Sequence, residues 1–328
     1  MSQGDAFSAT EHAKPVIASS QALHLEQTLC SICQIDDAEP VAVGEDFEYR
    51  TSADSFLAVR CRRCGLVYLD PRPSTSDFET IYPPTYHANN FDAKHFGWVY
   101  RVRRELEKRR LRAWLTSVAE DAAIVDVGCG DGFHLDVLRA AGFQNVRGID
   151  ASERAVARAR DAGLDVTHAL AENDPFEPQS IDVALIIQTI EHVVAPRDFL
   201  ASVQRMLRPG GLAFIVTDNT SSADRTFFAG RHWGGYHFPR HLTLFNHRTL
   251  AALSERAGFR VRSLRTMASP VNWTYSVRNL LVDYGAPAAI YEAFSLRSVP
   301  ALAAFTLLDS AMVSIGRGAL LHAVLERL

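Results

Sequence analysis

Cys30-x2-Cys33 and Cys61-x2-Cys64 form two cysteine pairs with 27 residues between them. A two-residue gap lets both sulfurs of a pair reach one ion at about 2.3 Å, and two such knuckles complete a tetrahedral four-thiolate zinc site. Gly65, directly after the last cysteine, suits the tight turn a knuckle needs. Buried free thiols or a redox CxxC are the alternatives, but a redox pair needs no twin at this distance. With four protein ligands the zinc is structural, not catalytic. A second group is Ile124-Val-Asp-Val-Gly-Cys-Gly-Asp-Gly132, an apolar run ending in Gly128, Gly130 and Gly132. Glycines there let the backbone turn and approach a ligand with no Cβ in the way. Asp150 ends the next apolar run, 24 residues after Asp126, where a carboxylate can accept both hydroxyls of a ribose. The third group is histidine. His192 follows the apolar run Val183–Ile187, and His237 and His241 lie in Arg-His-Trp-Gly-Gly-Tyr-His-Phe-Pro-Arg-His at 231–241. A neutral imidazole is a ready base near pH 7.

These groups need elements to hold them. Short apolar runs at Val41–Val43, Phe56–Val59 and Leu66–Leu69 surround the cysteines, so a small zinc-binding module of residues 26–70 is expected. In so short a segment the metal supplies stability that a small core cannot. Residues 1–25 have no sustained period and read as a mobile tail. Asp70-Pro-Arg-Pro73 interrupts regular structure. A connector follows, then a basic helix in which Phe96, Val99, Val102, Leu106, Leu111 and Trp114 recur near a 3.6 period; together they make up residues 71–117. From 118 to 328, apolar runs at Ile124–Val127, Val146–Ile149, Val183–Ile187 and Leu212–Thr217 alternate with amphipathic stretches. That order predicts an α/β domain with a parallel sheet covered on both faces.

Strand, glycine loop, helix, second strand and terminal acid together point to an adenosine-containing ligand. A dinucleotide would call for G-x-G-x-x-G, whereas residue 133 is Phe. In these residues the chain resembles the class I S-adenosylmethionine-dependent methyltransferases, over about residues 95–266. The resemblance implies a Rossmann-like, doubly wound seven-stranded sheet, with residues 270–315 as a helical insertion before a last strand near Ala319–Glu326. It implies S-adenosylmethionine as cofactor, held by Asp126, Gly128, Gly130, Gly132, Asp150 and Gln188, with the adenine beside Ala171 in Ala169-Leu-Ala-Glu-Asn-Asp-Pro-Phe176. Leu170 stands where an acid is common in the family, which leaves the adenine to backbone groups and packing. Tyr82 and Tyr86 match a tyrosine pair that precedes the domain and folds over the cofactor. Gln188-Thr-Ile-Glu191-His192 is similar to a Glu-x-x-Glu-His metal cluster of some quinone and RNA-end methyltransferases, but Gln188 lacks the first charge.

The zinc module, the tyrosine pair and the 231–241 segment resemble methyltransferases of sugar and polysaccharide pathways. A small or lipid-linked acceptor follows, a nucleotide sugar or glycan intermediate first, with Arg231, Arg240 and the aromatic residues suited to a phosphate or sugar. His192 is the expected base; His237 and His241 rank second. An RNA methyltransferase is the alternative enzyme and a non-catalytic scaffold the alternative outside catalysis. RNA is disfavoured because segment 30–64 carries Asp36, Asp37, Glu39, Glu45, Asp46, Glu48 and Asp54 against four arginines. The intact glycine loop and Asp150 argue against a scaffold. Net charge is −4 over 328 residues, with no uncharged apolar run long enough to span a bilayer and no signal-peptide layout. A cytoplasmic protein is expected. Peripheral contact at the inner membrane face stays open through the apolar tail, as does the oligomeric state.

Overall fold

The computed structural model describes residues 22–84, Tyr86 and 93–328, with the side chains of 93–96 excepted. The N-terminal part has strands β1 (Leu25–Glu26), β2 (Ala38–Gly44), β3 (Phe56–Cys61), β4 (Val67–Leu69) and β5 (Arg72–Pro73), then a short helix α1 (Phe78–Ile81). Helix α2 (Ala93–Trp114) contains a break at Gly97, where φ is 52° and ψ −121°. Then come β6 (Ile124–Val127), α3 (Phe133–Ala140), β7 (Val146–Asp150), α4 (Glu153–Asp161), β8 (Val166–His168), β9 (Ile181–Ile187), α5 (Pro196–Met206) and β10 (Leu207–Asp218). The chain ends with α6 (Ala223–Phe227), β11 (Thr243–Leu244), α7 (His247–Arg256), β12 (Phe259–Met267), α8 (Pro270–Asp283), α9 (Ala288–Tyr291), α10 (Val299–Ser314) and β13 (Leu320–Arg327).

The main sheet has seven strands in the order β12-β13-β10-β9-β6-β7-β8. All run parallel except β13, which lies antiparallel between β10 and β12. The expected doubly wound sheet is therefore present, and the expected helical insertion is α8 to α10. Strand alternation divides the core in two. Ala184, Ile186, Ala213 and Ile215 face α5 and α7, where Phe199, Leu200, Leu250 and Leu253 pack. Val183, Leu185, Phe214 and Val216 face α2, α3 and α4 through Leu111, Leu138 and Val156. Strand β8 is absent from the sequence-based expectation: three residues, two of them exposed, are too short to show a period.

The sequence places the four-cysteine module apart, but the structure builds it into the main domain. Its sheet runs β11-β4-β3-β2, and β11 comes from the segment after the histidine loop, pairing Thr243 with Tyr68 and Leu244 with Val67. Cys30, Ile32, Leu66 and Tyr68 share one core with Phe245, Leu250 and Leu253. The expected tail also needs correction. Residues 1–21 lie outside the described residues, but Leu23 is buried and β1 pairs with β5, so 22–25 belong to the module. Connector residues 85 and 87–92 also lie outside the described residues.

Candidate active site

The cofactor half is local in sequence. Gly128 and Gly132 have φ of +76° and +90°, a region costly for any residue with a Cβ. A Cβ on Gly128 would also come 2.4 Å from the Thr189 side chain. Asp150 closes the loop from the neighbouring strand tip. Its Oδ2 accepts from Gly130 N at 2.8 Å and its Oδ1 from Ser152 N at 2.8 Å. Burial raises its pKa, against the opposing effect of those two N–H donors. Each oxygen keeps lone-pair capacity for a ribose hydroxyl. One oxygen of buried Asp126, Oδ2, has no hydrogen-bond partner among the described residues and lies 3.6 Å from His134 Nδ1. A buried orphan acceptor beside a Cβ-free loop fits the polar end of S-adenosylmethionine. The Ala171 carbonyl already accepts from Ser202 Oγ at 2.5 Å and Asp174 N at 3.1 Å, so an adenine contact there falls to the amide N–H.

The acceptor half draws on distant stretches of chain. His192 lies just past the tip of β9. Its Nδ1 is 3.1 Å from the Arg240 carbonyl and 2.9 Å from the Tyr82 hydroxyl. A carbonyl can only accept, so Nδ1 carries the proton and Nε2 holds the lone pair. The His241 ring is 4.7 Å from it, centroid to centroid, and the His237 ring 6.4 Å. Burial, then the neighbouring His241 and His237, push the His192 pKa well below its ordinary value. His241 Nδ1 donates to the Gly235 carbonyl at 2.8 Å. His237 Nδ1 meets Glu48 Oε1 at 2.8 Å, and burial lowers its pKa to about 3.

Glu191, His192 and His241 bring one ligand atom each within 4.8 Å, so a cation has to be considered. Both Glu191 oxygens are already engaged, Oε1 by Gln188 Nε2 at 2.7 Å and Oε2 by Thr217 Oγ1 at 2.8 Å. Burial, then Asp218, push the Glu191 pKa up to about 8, which favours a neutral carboxyl at pH 7. Gln188 thus serves Glu191 with its side chain. Asp218, itself raised to about 7 chiefly by burial, accepts from Asn272 Nδ2 at 2.6 Å. Sequence reasoning missed Asp218 and Asn272. The only signal was Asp218 standing one residue beyond the expected strand Leu212–Thr217.

The 231–241 loop was expected to offer arginines to a phosphate. The structure assigns them elsewhere. Arg240 is fully buried and forms a two-pronged pair with Asp46 of the zinc module, at 3.0 and 2.8 Å, and donates to the Ile81 carbonyl at 2.6 Å. Arg231 pairs with Glu45 at 3.0 Å and Asp283 at 3.3 Å. Trp233 and Tyr236 are core residues. The loop is a clamp between module, connector and main domain. The two tyrosines belong to it: Tyr82 holds His192, and Tyr86 packs on Tyr49, Tyr82 and His237.

Each cysteine pair is held by the same turn. Cys30 N donates to the Ile35 carbonyl and Gln34 N returns to the Cys30 carbonyl; Cys61 N donates to the Leu66 carbonyl and Gly65 N returns to the Cys61 carbonyl. Gln34 and Gly65 hold the same place with φ of 57° and 83°. All four sulfurs fall within 4.8 Å of one another, with Cys30 and Cys64 3.5 Å apart. A tetrahedron of 2.3 Å bonds needs sulfurs about 3.8 Å apart, so the donor set fits zinc. Burial pushes the Cys30 thiol up to about 11, and a bound cation would offset that cost.

Comparison with known proteins decides the family. A model described as a methyltransferase domain matches residues 98–264. The chain belongs to this methyltransferase family. The matched part contains the glycine loop, Asp150 and all three histidines, and excludes the zinc module and α8 to α10. A ubiquinone biosynthesis O-methyltransferase of Caulobacter vibrioides is 35% identical over 107 residues, 30% of this chain and 42% of that protein. One from Maricaulis maris is 30% identical over 165 residues, 48% of this chain and 64% of that one. A probable S-adenosylmethionine-dependent methyltransferase of Mycolicibacterium smegmatis is 34% identical over 140 residues, 42% of this chain and 52% of that protein. This methyltransferase thus spans about half the length of the curated relatives it matches. A solved S-adenosylmethionine-dependent methyltransferase from Archaeoglobus fulgidus aligns with TM-score 0.47 at 16% identity, over 68% of this chain and 94% of that one.

Proposed function

We propose that the chain transfers a methyl group from S-adenosylmethionine to a hydroxyl of a small or lipid-linked acceptor, with His192 taking the proton. The observation that carries the reading is the fixed tautomer of His192, with Nδ1 held at the Arg240 carbonyl and the Tyr82 hydroxyl. That leaves Nε2 as the basic nitrogen. The bound cofactor supplies an electrophilic methyl that needs little activation. The protein's share is alignment, exclusion of water and removal of the hydroxyl proton. A depressed pKa keeps His192 unprotonated at neutral pH. Buried, neutral Glu191 braces the strand tip and accepts a bond there, and its own carbonyl accepts from Leu242 N at 2.8 Å.

Oxygen is favoured as the methylated atom because the similar curated proteins above include ubiquinone biosynthesis O-methyltransferases. A nucleotide sugar was the first expectation from sequence and is dropped: those relatives do not support it, and Arg231 and Arg240 are committed to Glu45, Asp283 and Asp46. RNA is not favoured either, since Arg60 and Arg62 of the module lie against its own Glu39 and Asp37. A methyl-labelled cofactor incubated with fractionated cell extract tests the reading. Label should enter the organic phase, and His192→Ala should cut its rate by about 10²–10⁴-fold, the range for losing a general base. Cofactor affinity should stay within a few-fold. Full turnover in His192→Ala would remove the base assignment, and label confined to macromolecular RNA would overturn the acceptor class.

A further inference from the structure

Helix α10 is built unlike the rest of the surface. From Ser298 to Gly316 the only charged residue is Asp309, and Asp309 is the helix's one fully buried side chain. It faces the protein, accepting from Ser269 N at 2.8 Å, Trp273 Nε1 at 2.9 Å and Ala319 N at 3.0 Å. The charge therefore locks the helix down, and the outward side is left to apolar groups. Leu307 is 75% exposed and Ile315 65%. Phe227, also 75% exposed, extends the patch through ring contacts with Trp273, which in turn stacks on Phe305. Trp273 itself is buried, so Phe227 and the exposed side of the helix are braced on one aromatic core; exposed large apolar side chains grouped in this way mark an interaction site.

The polar atoms on that side are already satisfied. Thr306 Oγ1 donates to the Leu302 carbonyl at 2.7 Å, Ser310 Oγ to Thr306 at 2.7 Å and Ser314 Oγ to Ala311 at 2.6 Å. Hydroxyls bonded to their own helix leave nothing unpaired, the condition hydrocarbon imposes. Exposed Arg317 follows the helix, and its guanidinium donates to the neutral Thr226 Oγ1 at 2.6 Å and the Ser222 carbonyl at 3.5 Å, so its positive charge is not cancelled by these partners. Such side chains lay their stems along apolar surface and keep their charge at the headgroups. At 16 residues the helix is about 24 Å long, and no described helix is long and apolar enough to cross a membrane. It is suited to lying in the bilayer surface.

We infer that α10, with Phe227, is a docking face for an anionic phospholipid surface. Helix α8, which packs on α10, carries Asn272 to Asp218 at the candidate site, so the face is mechanically joined to the acceptor half. The inference does not depend on which acceptor is methylated. The test is flotation of the full chain with vesicles of phosphatidylcholine alone or mixed equally with phosphatidylglycerol, in low and high salt. Binding is expected to the mixed vesicles and to weaken several-fold in high salt. Leu307→Glu with Ile315→Glu should reduce binding at least tenfold while S-adenosylmethionine binding and the melting temperature stay unchanged, which shows the variant is folded. Arg317→Gln should weaken binding to mixed vesicles several-fold. No flotation of the wild-type chain, or flotation untouched by the double substitution, overturns the inference. So does a lipid-free dimer in sedimentation velocity that the same substitution dissolves, since the face then belongs to a second copy.

Discussion

The cofactor half and the acceptor half of the site are built by different means. The first is one strand-loop-helix-strand passage, Ile124 to Asp150, in which Gly130 bonds Asp150 across 20 positions of sequence. The second is stitched from four remote stretches. Arg240 reaches Asp46 across 194 positions and Ile81 across 159, and Tyr82 reaches His192 across 110. A site made locally can be recognised by spacing and tolerates change elsewhere. A site made by long-range closure depends on everything that brings its parts together, the zinc module included, since β11 and β4 pair immediately after the histidine loop.

The contrast can be broken most sharply at the zinc. Protein purified without added metal should contain one zinc per chain, and Cys61→Ser should lose it. Structural zinc sites are worth on the order of 10 kcal/mol, so the module should unravel and release the loop bearing His237 and His241. Hydrogen exchange should rise first in 30–69 and 231–245. Equal exchange across both halves would show that they do not differ in kind, and a zinc-free but folded module would show that the thiols only pack.

Removing Arg240 acts one step in from the metal. Arg240→Met leaves the buried Asp46 carboxylate without its cation, held only by Tyr49 N, Thr51 N and Thr51 Oγ1, a loss of up to about 3–5 kcal/mol, read as a lower urea midpoint. Adding Asp46→Asn, which removes the charge but keeps an acceptor for those donors, should restore part of it. If the double variant is no better than the single, the pair does not act as the clamp. His237, ranked second as a base from sequence, is tied to Glu48 in the same clamp, so His237→Ala should lower stability as well as raise the acceptor KM.

Asp150→Ala probes the local half. It should weaken S-adenosylmethionine by roughly 1.5–3 kcal/mol, one to two decades in Kd, through loss of charge-assisted hydrogen bonds. Turnover at saturating cofactor should change little, because the acceptor half is assembled elsewhere. Unchanged calorimetric affinity would remove Asp150 from the cofactor site.

The smallest effect expected is a flat pH profile. An ordinary histidine base loses half its active form near 6.5. The His192 pKa lies well below that, so the neutral, active form persists as pH falls from 8 to 6. The kcat/KM should therefore vary by less than about twofold from this group over that range. A break near 6.5 would place the base on a solvated histidine instead.

Residue spacing alone groups Cys30, Cys33, Cys61 and Cys64 as one donor set, and Gly128, Gly130, Gly132 and Asp150 as one loop. Strands such as Ile124–Val127 are legible in the amino-acid order too, whereas the 270–315 insertion follows only from the family resemblance. The donor set, the loop and such strands are encoded by short-range rules: the reach of two thiolates, the φ that only glycine adopts at low cost, the alternation of a buried strand. Where the long, charged and aromatic side chains end up is a matter for the folded chain. Arg231 and Arg240 read equally well as phosphate ligands or as ion-pair partners, and spacing cannot tell these apart, because their acids lie far away in sequence. Asp309 in an apolar helix reads as an interruption of the stripe; in the fold it is the anchor that turns the stripe outward. The physical reason is that burying a charge is costly unless a partner meets it, and folding alone determines which partners meet.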